Sequence, residues 1–145
     1  MKSVTIDQAL VDPRLFGSAM GNPATWSAWR AVLKAAFALP LDSAEQAIFR
    51  QFAGSRNPPT KRVRELWAVI GRRSGKSRVA ALIAAYLGLF SDRAKLARGE
   101  TGVILVLAAS KLQASTVMNY IRAFFASSPA LSKGVIDETA DELRL

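Results

Sequence analysis

Apolar positions recur at helical spacing in four stretches of the chain and run together without interruption in two others. Trp26, Trp29, Val32, Leu33 and Phe37 form one stripe, with Asn22 placed as a cap and Pro23 as a first helical residue. This pattern predicts a helix from Pro23 to about Ala38, stopped by Pro40. A second helix is expected from the Asp42 or Ser43 cap, with Glu45 or Gln46 near the third position. It presents Ala47, Ile48 and Phe52 before Gly54. The stripe bearing Trp26 and Trp29 reads first as core, and base stacking is the alternative use of the two indoles.

The two uninterrupted runs are Leu66–Ile70 and Gly102–Ala109. Both have strand length, and continuous apolarity is the pattern of a strand covered on both faces. A helix is expected after each, from the Gly71–Ser77 loop to about Phe90 and from Lys111 to Ala126, with a polar connection over 91–101. Strand, helix, strand, helix predicts an α/β fold with a parallel sheet and right-handed crossovers. Upstream, residues 1–22 read as an arm with turn signals at Asp12-Pro13, Gly17 and Gly21-Asn22-Pro23. Residues 23–60 read as a helical segment ending in the loop Arg56–Thr60, and 61–145 as the α/β part.

Composition narrows the chemistry. The chain has 145 residues, half of them hydrophobic and 21% charged, which suits one ordinary globular domain. It has no Cys and no His. Disulfides, thiolate sites and every Ser-His-Asp arrangement are thereby excluded. Carboxylates, Lys, Arg, hydroxyls and backbone amides remain.

The net charge of +9 is concentrated. Arg56, Lys61, Arg62, Arg64, Arg72, Arg73, Lys76 and Arg78 face a single acid, Glu65, so this window alone carries +7. Such an excess suits a polyanion, nucleotide phosphate or nucleic acid backbone; a solvated basic face is the plainer reading. No apolar stretch reaches the roughly 18 residues needed to span a bilayer. A soluble, intracellular protein is expected.

Ile70-Gly71-Arg72-Arg73-Ser74-Gly75-Lys76-Ser77 fits the pattern G-x-x-x-x-G-K-[ST] except at its first position, where Ile stands for Gly. Gly75 lets the backbone curl around phosphate oxygens, and successive amides at a helix N-terminus supply positive charge. Lys76 is expected to reach the terminal phosphates and the Ser77 hydroxyl to take one coordination position of Mg²⁺. Gly71 stands ready for the turning role of the missing glycine.

The loop and its surroundings resemble the ATPase region of tailed-bacteriophage large terminase subunits, the DNA-packaging motors. The resemblance is carried by Trp67–Gly88 with its Gly-Arg-Arg-x-Gly-Lys-Ser loop, by Phe49–Gly54 and Asn57-Pro58-Pro59 upstream, and by Val103–Ala114 downstream. It implies an incomplete P-loop NTPase parallel sheet of the RecA-like kind, preceded by an α-helical N-terminal segment. It implies ATP and Mg²⁺ as cofactors, with Gly71, Arg72, Arg73, Ser74, Gly75, Lys76 and Ser77 around the phosphates. Arg72 is then a γ-phosphate sensor or cis arginine finger, and Gln46 (or else Gln51) an adenine-recognising glutamine; a solvated helix face is the alternative for both. Gln113 is expected to shape the turn after the second run. Double-stranded viral DNA, a portal protein, a small terminase subunit and further copies of the chain are the implied partners, and the bacterial host cytoplasm the implied setting.

Hydrolysis in that family also needs an Asp-Glu pair ending an apolar strand. Asp137-Glu138 follows only Val135-Ile136, and Asp141-Glu142 follows Thr139-Ala140. The true pair and the nuclease domain are therefore expected beyond Leu145, with 137–138 forming an acidic connection before a strand near Glu142. A chain of this extent is expected to bind ATP weakly and hydrolyse it poorly or not at all. Two other functions stay open: a self-contained basic nucleic-acid-binding module, and another P-loop ATPase of helicase-like type.

Overall fold

Helix caps written into the sequence start several of the elements. The computed structural model describes residues 4–145; residues 1–3 of the expected arm lie outside the described residues. Thr5 caps helix α1 (Ile6–Val11): its hydroxyl accepts from the Gln8 amide while the Gln8 side chain accepts from the Thr5 amide. This reciprocal pair satisfies two donors that the helix itself leaves free. A short helix α2 (Gly17–Met20) follows. Asn22 then accepts from the Ala24 amide and opens a 3-10 turn, Pro23–Trp26, which passes into α3 (Ser27–Ala36). Asp42 and Glu45 form a second capping box at the start of α4 (Ser43–Ala53).

The longer helices are α5 (Lys76–Phe90) and α6 (Lys111–Ala126). The Ser110 hydroxyl accepts from the Gln113 amide at the start of α6, a cap that makes no use of the Gln113 side chain. One turn, α7 (Pro129–Ser132), leads to a small antiparallel pair, β1 (Asp137–Glu138) and β2 (Leu143–Arg144).

The core lies where α5 and α6 pack on each other and on the N-terminal helices. Val79, Leu82 and Ala85 from α5 meet Phe124 and Phe125 from α6 in one apolar cluster, joined by Ile6, Leu10, Phe16 and Met20. The segment read as an arm therefore supplies core side chains. Phe16 and Phe124 are both fully buried, with ring centroids 5.3 Å apart and planes tilted by 58°. Each such ring contributes about 1.5–3 kcal/mol by leaving water. Tyr86 sits at the edge of this cluster against Phe37 and Phe90, its hydroxyl donating to the Val4 carbonyl at 2.8 Å.

The parallel α/β sheet expected of a P-loop NTPase does not form. Among the described residues the only sheet is the two-stranded antiparallel β1–β2 pair. No strand is assigned in 66–70 or 102–109, and no backbone hydrogen bond joins the two runs. Trp67, Val69, Leu105 and Leu107 are 86%, 100%, 75% and 86% exposed, the opposite of a covered strand. The physical reason is that the helices expected to cover a sheet have buried their apolar faces against one another. Apolarity supplies a drive for burial but no partner, and a strand needs a neighbour for its amides and carbonyls.

Candidate phosphate-binding loop

Residues 71–75 connect the exposed run to the start of α5 in a tight, unusual backbone path. Arg73 has φ 60° and Gly75 φ 79°, both in the left-handed region. Glycine adopts it freely, whereas at Arg73 it costs about 1–2 kcal/mol. Left-handed residues at 73 and 75 are of the kind found in backbone turns that bind anions. The Ser74 hydroxyl donates to the Gly71 carbonyl at 2.8 Å and closes the loop, and the Lys76 ammonium lies 3.5 Å from the same oxygen.

Gly75 is the N-cap of α5 and offers no side-chain acceptor to the first-turn amides. Those of Lys76, Ser77 and Arg78 therefore keep their donor capacity, and the helix dipole adds positive charge to it. A ligand oxygen at this point would replace the missing cap.

Two tryptophans brace the loop from the N-terminal side. The Trp29 indole N–H donates to the Ser74 carbonyl at 2.7 Å, 45 residues away in sequence. Trp26 is buried, its own indole donating to the Met20 carbonyl at 2.9 Å, and its ring lies against Gly75. Sequence reasoning assigned both rings to core or to base stacking. The requirement that a covered indole N–H find an acceptor was a legible signal, but which carbonyl it would find was not.

Two side chains of the basic window stack on the protein's own aromatic rings. The Arg78 guanidinium turns into the protein, 5.6 Å above the Trp26 ring and 6.0 Å from the Tyr120 ring, and it donates to the Ala19 carbonyl. Arg62 stacks on Phe37 at 4.8 Å. Arg56, Lys61, Arg64, Arg72, Arg73 and Lys76 are exposed. A cavity of about 560 Å³ opens between residues 62–68, the end of α3 and α5, with Lys76 and Ser77 at its rim and Phe37, Val79 and Ile83 among its apolar walls. The Val63 amide ties the outer wall to the Ala36 carbonyl at 2.9 Å. Burial near this wall raises the Tyr86 hydroxyl above its ordinary range, and the charge of Arg62 partly opposes that rise.

Other expected residues lie elsewhere. Gln46 is exposed on α4, donates to the Leu41 carbonyl at 3.1 Å, and is not among the residues lining the cavity. Gln51 is exposed on the same helix. Glu138 is paired with Arg122 at 2.7 Å and Asp141 with Lys111 at 2.9 Å, while Asp137 and Glu138 form β1 at the surface. Among the described residues no group of three or more carboxylates could hold a metal ion. The loop fits a phosphate group through its amides and Lys76, whereas for Mg²⁺ it offers the single half-buried hydroxyl of Ser77. Among the described residues no helix is long and apolar enough to cross a membrane. Comparison with protein-family models, curated proteins and solved structures returns no match for this chain.

Proposed function

We propose that the Gly71–Ser77 loop binds the phosphate tail of a nucleoside triphosphate, with ATP and Mg²⁺ as the ligand pair. The observation that carries the reading is the loop itself: two left-handed residues, a glycine cap and uncapped first-turn amides beside an exposed lysine. Lys76 neutralises phosphate charge, the amides of residues 75–78 orient the oxygens, and Ser77 contributes one oxygen toward the metal that accompanies the nucleotide. Arg72 and Arg73, exposed on the outer turn, add charge at the terminal phosphate. Ser77 alone does not make a hydrolytic centre, so binding without efficient turnover is the expected behaviour. The wider setting, ATP-driven translocation of viral DNA, is supported by the terminase resemblance of the sequence.

A second reading has its own support. Arg56, Lys61, Arg64, Arg72 and Arg73 are all exposed, which suits nucleic acid phosphates. Calorimetric titration with Mg-ATP and with duplex DNA separates the two. Under the nucleotide reading Lys76→Ala weakens ATP binding at least about tenfold, the value of one charge-assisted hydrogen bond, and leaves DNA affinity nearly unchanged. Under the DNA reading the same change lowers the salt slope of DNA binding by about one unit and no ATP isotherm is seen. Absence of ATP binding by the unaltered chain refutes the first reading.

A further inference from the structure

We propose that Trp29 is a positioning residue for the phosphate loop, acting by fixing which way the Ser74–Gly75 peptide faces; the inference rests on the nucleotide reading above. A trans peptide is planar, and its C=O and N–H point in opposite directions. The Trp29 indole holds the Ser74 carbonyl at 2.7 Å on the α3 side, so the Gly75 N–H is turned to the other side. Glycine at 75, with φ 79°, leaves this peptide freer to rotate than any other residue would, and nothing in the loop's own chain fixes its sense. The Ser74 hydroxyl is already committed to Gly71, and Gly75 has no side chain. Without the indole, a flip of this single peptide would present a carbonyl oxygen where a phosphate requires a donor, replacing attraction with repulsion.

Residues on either side of Trp29 make the brace rigid. Trp26 lies against the same glycine, held by its bond to Met20 and covered by Arg78. Arg30, one residue beyond Trp29, is tied to Asp7 of α1 by a two-point ion pair at 2.7 and 3.1 Å. The orientation of the loop peptide is thereby set by the N-terminal helices, outside the motif itself.

The test uses the full chain and inorganic triphosphate, which engages only the loop. Trp29→Phe keeps an aromatic ring and loses the N–H. Triphosphate binding by Trp29→Phe is expected to weaken about tenfold, the value of one hydrogen bond lost to an anion, with the circular dichroism spectrum retained. In the unaltered chain the indole ¹⁵N–¹H resonance of Trp29, assigned by its disappearance in Trp29→Phe, is expected to shift on triphosphate addition. A merely structural tryptophan would lower stability and leave both affinity and resonance unmoved. If Trp29→Phe binds triphosphate as the unaltered chain does while Lys76→Ala does not, the positioning role is overturned and the nucleotide reading stands. If the unaltered chain binds no triphosphate, both fall. Should Trp29→Phe fail to fold, the Trp29 resonance is assigned instead as the one left after Trp26→Phe and Trp67→Phe remove the other two indoles, and it decides alone: a shift supports the role and a fixed resonance overturns it.

Discussion

Replacing Gly75 by alanine would place a methyl group 2.6 Å from Cζ3 and 3.0 Å from Cη2 of Trp26, at a residue whose φ is 79°. Two costs add. An L-residue in the left-handed region costs about 1–2 kcal/mol. The contact is too close for any relaxed packing, and the ring has little room to yield. It is 8% exposed, hydrogen-bonded through its indole to Met20, and covered by the Arg78 guanidinium. Overpacking of this kind costs about 1–3 kcal/mol. The expected destabilisation is therefore about 3 kcal/mol, or roughly 6–12 °C in the melting midpoint of a domain this size. Urea unfolding followed by circular dichroism measures it, with the m-value expected unchanged. Gly99 provides the control: its φ is 84°, yet an added Cβ meets nothing within 4 Å, so Gly99→Ala should cost only the backbone term, about 1–2 kcal/mol. If Gly75→Ala proves no more destabilising than Gly99→Ala, the ring does not lie on the glycine and the bracing of the loop by Trp26 is refuted. A cycle with Trp26→Leu sharpens the result, because relief of the clash makes the two changes less than additive.

Ser128 is 1% exposed and its hydroxyl donates to the Arg14 carbonyl at 2.5 Å, tying the end of α6 to the chain after α1. Ser128→Ala leaves that carbonyl without its donor and should cost about 1–3 kcal/mol in urea unfolding; Ser132→Ala, at an exposed hydroxyl, should stay within about 0.5 kcal/mol. Tyr86 supplies a pH prediction. Burial raises its hydroxyl above the ordinary value of 10.0, so the folded chain favours the protonated form. Its contribution is complete below pH 10 and is lost as pH rises through the folded-state value. Stability measured between pH 9 and pH 12 should fall more steeply for the unaltered chain than for Tyr86→Phe; parallel curves would contradict the assignment.

The parallel-sheet expectation and the helical readings fared differently because they rest on different physics. The Asp42 cap with Glu45 three residues on, the Asn22-Pro23 start and the Lys111–Ala126 helix are local events within one or two turns, and they stand in the structure much as the residues implied. The start of α5 immediately after Gly75-Lys76 is equally local. Leu66–Ile70 and Gly102–Ala109 were different: their apolarity announced burial, but a strand exists only through a neighbour distant in sequence. The candidate site divides in the same way. The order Gly75-Lys76-Ser77 and its helix were legible, whereas the withdrawal of Arg78 under Tyr120 and the distance of Gln46 from the cavity were not.

The amino-acid sequence by itself determined where α4, α5 and α6 begin and stop, the glycine at position 75 and the local excess of positive charge, because caps, propensity and charge act between residues close along the chain. Tertiary structure alone decided that α5 and α6 bury their faces on each other and on residues 6–20 in place of a sheet. It alone also brought the Trp29 indole to the Ser74 carbonyl across 45 residues. Such contacts depend on which apolar surfaces meet first and most completely, and no short window of sequence contains that competition.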